Sequence, residues 1–241
     1  MKNYLVTGAA KGLGLAITHE LLSDPNNAVY GLNRGNSPEY EALMKTHEGR
    51  CFFLPYDLQN IDDMRKTIFV DFLQKNSIHG FVNNAALAYD DIITNLRIDP
   101  LEAMFRVNVF APMMLTKLSI RNMLLHKVKG SIVHISSISV HTGYKGLSMY
   151  AASKGSLEAF SKNTAREWGS TGIRSNALVA GFMETEMSAT LDADQKSRIY
   201  ARTSLKKPTE KQSVAATVSF LLSENARSIT GQVIHVDSGT I

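Results

Sequence analysis

The chain has 241 residues, 44% hydrophobic and 20% charged, an ordinary globular balance and long enough for one domain with a large core. The net charge of +4 is mild, and Lys127, Lys129 and Lys206-Lys207 are scattered, so they read as solvated surface rather than a nucleic-acid footprint. The single cysteine, Cys51, excludes an internal disulfide, no run approaches the ~18 apolar residues that span a bilayer, and no signal peptide precedes the first strand, so a cytoplasmic protein is expected.

The first strand is expected at Asn3–Val6, leading directly into Thr7-Gly8-Ala9-Ala10-Lys11-Gly12-Leu13-Gly14. Leu13, Ala16, Ile17, Leu21 and Leu22 then recur at helical spacing. Strand, glycine loop and helix N-terminus together make an anion site, because glycine permits the tight turn and the helix offers unpaired amides and the positive end of its dipole. A glycine-rich turn in a generic α/β unit would read the same way. Further strands are expected at Ala28–Leu32, Cys51–Leu54, Gly80–Val82, Ser131–Ile135, Ile173–Val179 and Gln232–Val236. Helical spacing fills 61–73, 99–126, 149–168 and 213–222, with Pro112 expected to end or kink the second of these. Such alternation predicts a parallel sheet with helices on both faces. Ligands of such sheets bind beyond the carboxyl ends of the strands. There Gly8, Asp57, Asn83, Ser137 and Gly181 fall, each just after an expected strand.

Tyr150 and Lys154 are four residues apart on the helix expected at Met149–Trp168, so they share a face. A phenol titrates near pH ~10 and is a poor acid or base at neutrality, whereas a close cation favours the phenolate. A serine hydroxyl can orient a carbonyl oxygen toward that phenol. Ser137 lies thirteen residues before Tyr150, at the end of the fifth strand. By spacing alone the Tyr-x-x-x-Lys pair is a weak signal, since solvated helices produce it by chance. Ser136 and Ser137 point opposite ways on a strand, so only one should enter a site.

Together these segments resemble the short-chain dehydrogenase/reductase family over essentially the whole chain. Thr7-Gly8 with Gly12 and Gly14 matches its cofactor loop, and Asp57-Leu58 its adenine-side pair. Asn83-Asn84-Ala85-Ala86 matches its Asn-Asn-Ala-Gly element with Ala86 for the last glycine. Asn108 in Arg106-Val107-Asn108-Val109 matches the helix asparagine of the catalytic set. Ser137, Tyr150 and Lys154 match the active-site trio. The resemblance implies a single-domain Rossmann fold over 1–241, with a seven-stranded parallel sheet in the order 3-2-1-4-5-6-7 and a substrate lid at about 182–207. It implies that Asn108, Ser137, Tyr150 and Lys154 are catalytic. It implies cofactor contacts from Thr7, Gly8, Lys11, Gly12, Leu13, Gly14, Asn33, Arg34, Asp57, Leu58, Asn84, Ala85, Tyr150, Lys154 and Thr185, and no metal. In such a site Lys154 lowers the Tyr150 pKa and holds the nicotinamide ribose, while Asn108 holds a water of a proton relay. Ala180-Gly181 departs from the family's Pro-Gly, and Asp237-Ser238-Gly239 from its double glycine.

NAD-binding chains place an acid after the second strand to accept the ribose hydroxyls. Here Asn33-Arg34-Gly35-Asn36 carries none. Arg34 can hold a 2′-phosphate as a bidentate donor and Lys11 can reach it, so NADP (NADPH) is the expected cofactor. The expected activity is NADPH-dependent reduction of a small-molecule carbonyl to an alcohol. Alternatives are an NAD(P)-dependent alcohol or sugar dehydrogenase and a non-catalytic NADP-sensing regulator, which the intact trio disfavours. Pattern and length resemble bacterial 3-oxoacyl-(acyl-carrier-protein) reductases, making a carrier-bound substrate one candidate. Those enzymes carry an arginine where this chain has Thr171, with Lys127 and Lys129 as partial compensation. Leu87, Tyr144, Leu147, Met183, Met187, Leu191 and Tyr200 are candidates for the substrate pocket or for lid packing alone. The resemblance also implies a homotetramer, and no nucleic acid or membrane partner.

Overall fold

The computed structural model describes residues 1–184 and 192–240. In chain order the elements are β1 (Lys2–Thr7), α1 (Gly12–Leu22), β2 (Asn27–Asn33), α2 (Pro38–Thr46), β3 (Cys51–Pro55) and β4 (Gly80–Asn83). They continue with α3 (Ile98–Phe105), α4 (Ala111–Leu125), β5 (Ser131–Ser137), α5 (Ser139–Thr142), α6 (Ser148–Trp168) and β6 (Arg174–Ala180). The last are α7 (Ala193–Arg202), α8 (Lys211–Leu222) and β7 (Val233–Val236). The strands form one parallel sheet in the order β3-β2-β1-β4-β5-β6-β7, as the family resemblance implied.

Successive strand residues face opposite sides of a sheet. Tyr4 and Val6 enter one apolar cluster while Leu5 enters the other, and Val82 and Phe81, Val133 and Ile132 divide in the same way. The first cluster is closed by α1 and α8 through Ile17, Leu21, Val214, Val218 and Leu221. The second is closed by α4 and the 64–72 segment through Leu115, Leu118, Met64 and Ile68. Covering both faces explains why the strands read as nearly continuous apolar runs. Each fully buried leucine or isoleucine contributes about 1.5–3 kcal/mol relative to exposure.

One expected break takes an unanticipated form, and two segments differ from the sequence expectation. The long helix at 99–126 is divided into α3 and α4 by a wide π-helical turn at Arg106–Phe110, just ahead of Pro112. Proline has no N–H to give the carbonyl four residues back and its ring crowds that carbonyl, so the chain widens there. The segment expected as helix at 61–73 is likewise π-helical over Arg65–Phe72. The helix α2 was not expected, yet Ser37 caps it by accepting from the Tyr40 amide, and Pro38 opens its first turn.

The chain enters the helix layer on the first face after β1 and on the second face after β4. A crevice therefore opens where these neighbouring strands end. The β1–α1 turn that floors it needs glycine three times. Gly8 and Gly12 have φ of +68° and +54°, in the left-handed region. Gly14 lies so close beneath the turn that a Cβ there would stand 1.9 Å from the Gly8 carbonyl oxygen. Gly14→Ala should cost roughly 1–3 kcal/mol of stability or more, because the clash is with backbone that cannot rotate away. Thermal unfolding of the variant checks this, and an unchanged midpoint would contradict the close approach.

Candidate active site

One cleft of about 1050 Å³ runs across the carboxyl ends of the strands. At one end it is lined by Gly8, Lys11, Gly12, Leu13, Asn33, Arg34, Asp57, Leu58, Asn84 and Ala85. The N-cap residue of α1, Lys11, makes no side-chain cap bond, and the helix start at Gly12 and Leu13 lines the cleft. Asn33 accepts from the Ala10 amide through Oδ1, while its buried Nδ2 has no partner among the described residues. Glycine turn, open helix N-terminus and an unsatisfied donor fit the phosphates and ribose of a dinucleotide. Asp57 accepts from the Gln59 amide at 2.9 Å, which fixes its turn at the cleft edge. Arg34 is exposed at the mouth and makes no hydrogen bond or ion pair with the described residues.

Two of the expected cofactor residues lie beneath the cleft, not on its wall. Thr7 is fully buried, and its hydroxyl accepts from the Asn84 and Ala85 amides at 3.0 and 3.1 Å. Asn84 returns the tie by donating through Nδ2 to the Thr7 and Gly8 carbonyls. Thr7 thus joins the ends of β1 and β4. Gly14 serves packing under the turn. Thr185, with Met187 and Leu191, lies outside the described residues.

At the other end, Ser137, Tyr150 and Lys154 face the same cleft with Leu87, Tyr144, Leu147 and Met183. Tyr200 instead donates to Glu184 and packs against Phe182. Ser137 Oγ accepts from the amide and the hydroxyl of Ser139, at 3.2 and 3.0 Å, which leaves its own proton free to point into the cleft. The neighbouring Ser136 hydroxyl donates to Glu158. Asn108 is fully buried; its Oδ1 accepts from the Leu87 amide, and its Nδ2 donates to the Leu87 carbonyl and to Ser153 Oγ. Both amide protons are spent, so the Asn108 side chain braces the cleft wall instead of offering a donor to a water.

The electrostatics differ from the sequence expectation. Lys154 is 2% exposed, its Nζ donates to the Ile135 carbonyl at 2.8 Å and stands 5.9 Å from the Tyr150 ring centroid. Burial pushes the lysine down to about 8. Burial, and behind it the charge of Asp90, push the Tyr150 phenol up to about 12. The net shift of the tyrosine is therefore upward, with desolvation outweighing any pull from a cation held by a backbone carbonyl. Nearby His134 is fully buried and pushed down to about 3 by burial and then by Lys154, so it stays neutral. Sequence reasoning missed Asp90 and Ser139. Asp90 follows the Asn83–Ala86 element and Ser139 follows Ser137, but nothing in their spacing announces a role. Among the described residues no group of His, Cys, Asp or Glu could hold a metal ion, and no helix is long and apolar enough to cross a membrane.

The model of the family described as Enoyl-(Acyl carrier protein) reductase matches residues 8–240. The chain is 31% identical over 237 residues to the 3-oxoacyl-(acyl-carrier-protein) reductase FabG of Buchnera aphidicola subsp. Acyrthosiphon pisum, covering 97% of this chain and 95% of that protein. Its fold matches 4-hydroxyisoleucine dehydrogenase complexed with NADH at a TM-score of 0.92 and 27% identity, over 100% of this chain and 98% of the other. It also matches ElxO with NADP bound at a TM-score of 0.89 and 25% identity, over 99% and 98%.

A lysine held below its ordinary value opposes folding while both states keep the proton. That opposition fades as pH rises from about 8 toward 10.5, where the unfolded chain also deprotonates. Over that window the wild type should gain roughly 3 kcal/mol of stability relative to Lys154→Met. Denaturant unfolding at several pH values measures it, and a flat difference would mean the ammonium is solvated.

Proposed function

Because the chain belongs to the short-chain dehydrogenase/reductase family of nicotinamide-dependent oxidoreductases, we propose that it reduces a carbonyl to an alcohol with NADPH at a Ser137–Tyr150–Lys154 site. The observation that carries this reading is the opening of Ser137, Tyr150 and Lys154 into the same cleft as the glycine turn. The cofactor supplies the hydride when bound. The chain's own residues handle the oxygen. Ser137 directs its free hydroxyl proton at the carbonyl oxygen and stabilises the charge that develops there. Tyr150, neutral with its pKa near 12, then donates its proton to that oxygen. A protonated phenol is the form that can give this proton. Lys154, charged below about 8, places a cation beneath the reacting groups. Asn108 braces Leu87 and Ser153 on either side of the pocket. Residues 1–241 act as one unit in this reading.

For NADP over NAD, support comes from the exposed, uncommitted Arg34 and from Lys11 on the same cleft end, with no acid after β2. ElxO, a structural neighbour, is an NADP complex, while 4-hydroxyisoleucine dehydrogenase is an NADH complex. For the substrate, FabG similarity favours a 3-oxoacyl thioester. The aliphatic stem of Lys129 lies close to Gly172, the residue after Thr171, where carrier-reading members hold arginine. A small ketone or sugar is the alternative. The exposed Phe110 just ahead of α4, Leu124 and Leu125 at its end and Phe220 on α8 support a homotetramer.

Arg34→Glu should weaken NADPH at least about 10-fold more than NADH, since it replaces a bidentate phosphate donor with a repelling charge. Fluorescence titration with both cofactors reads this ratio, and an unchanged ratio contradicts the phosphate assignment. The same wild-type preparation, followed by loss of reduced-cofactor absorbance, sorts thioesters from small ketones and sugars.

A further inference from the structure

The adjacent serines of β5 face opposite ways, and only Ser137 is used by the reaction proposed above. Ser136 is 2% exposed and its hydroxyl donates to Glu158 Oε1. The same oxygen is 3.1 Å from His141 Nε2. Glu158 is one turn beyond Lys154 and two beyond Tyr150 on α6, whereas Ser136 precedes Ser137 and His141 belongs to α5. One carboxylate thus touches the three elements that carry or flank the reacting groups. Its side chain is only 12% exposed, so water competes weakly for those contacts. Beyond it, the His141 ring meets the His235 ring edge-on at 4.8 Å, and His235 Nδ1 is 4.0 Å from Asp237 Oδ2. Asp237 is buried and its Cα would crowd any Cβ at Gly181, at the base of the 182–207 segment.

We propose that Glu158 is a positioning residue that clamps α6 to the end of β5 and to α5, and so sets the distance from Tyr150 and Lys154 to Ser137. The helix is tied to β5 at two points one turn apart: Lys154 to the Ile135 carbonyl, and Glu158 to the Ser136 hydroxyl. The first tie uses the reactive lysine, whereas the second uses no reacting group. Proton transfer is sensitive to such spacing, and misplacing a reacting group by an ångström is enough to cost about 100-fold.

The inference rests on the reductase reading, so its test carries one readout that needs no turnover. Glu158→Leu removes both contacts; Glu158→Gln keeps an oxygen that accepts from Ser136. The clamp predicts a fall in kcat of about 10-fold or more for Glu158→Leu, with KM and NADPH affinity changed less than about 3-fold, and a rescue to within about 3-fold by Glu158→Gln. Hydrogen exchange of the 135–139 amides should quicken in Glu158→Leu and stay slow in Glu158→Gln. If Glu158→Leu does not fold, Ser136→Ala removes a single hydroxyl and should show the same kcat-only loss in smaller measure. Unchanged kcat and unchanged exchange, or losses in kcat and NADPH affinity of equal size, would overturn the clamp. Should the wild type turn over no carbonyl, the reductase reading fails, and the exchange result still decides the clamp.

Discussion

Everything polar in this molecule is organised by one constraint: a parallel sheet must be covered by helices on both faces. Each strand before β7 is followed by a crossover, and the crossovers bury the apolar runs of β1, β4 and β5 on both sides. Chemistry is left only the strand ends. There the crossovers after β1 and β4 diverge to opposite faces and open the cleft. The turn that floors it works because Gly14 lets α1 approach the Gly8 carbonyl more closely than any side chain would allow. The tie from Thr7 to the Asn84 and Ala85 amides then holds the two diverging strand ends together.

Burial sets the electrostatic character of the site. The same desolvation that lowers Lys154 raises Tyr150, and the Asp90 charge adds to the rise. The outcome is an acid that keeps its proton at neutrality beside a cation that mostly keeps its own. That pair is poised to deliver a proton. Neutral His134 behind Lys154 adds no competing charge. The geometry around Ser137 is equally directional, because Ser139 fills its acceptor side and leaves the donor side open.

Much of this was legible in the sequence, for physical reasons that differ by element. Strand runs from Asn3, Ala28, Gly80, Ser131 and Ile173 stand out because both of their faces are buried, and the edge strand from Cys51 because its side chains are largely apolar. The order of the sheet came from family resemblance, since apolar periodicity says nothing about which strands pair. The helix α2 was missed because only Tyr40 on it is buried, so it shows no apolar stripe. The π-helical turn before α4 was anticipated as an end or a kink but not in its form, since proline forecasts a lost hydrogen bond and not how the chain absorbs it. The direction of the Tyr150 shift was misread because spacing reveals a nearby lysine but not the desolvation of both groups. Glu158 was invisible for a related reason. On a helix it reads as a solvated carboxylate, while its partners Ser136 and His141 lie 22 and 17 residues away.

The central claim is that Tyr150 gives the proton that completes carbonyl reduction. A rapid-mixing comparison of wild type with Tyr150→Phe, each preloaded with NADPH and mixed with a reducible carbonyl, tests it most directly. Removing one phenol oxygen should leave NADPH binding within a few-fold and suppress the loss of reduced-cofactor absorbance by about 100-fold or more. Reduction by Tyr150→Phe at a rate near that of the wild type would contradict the account.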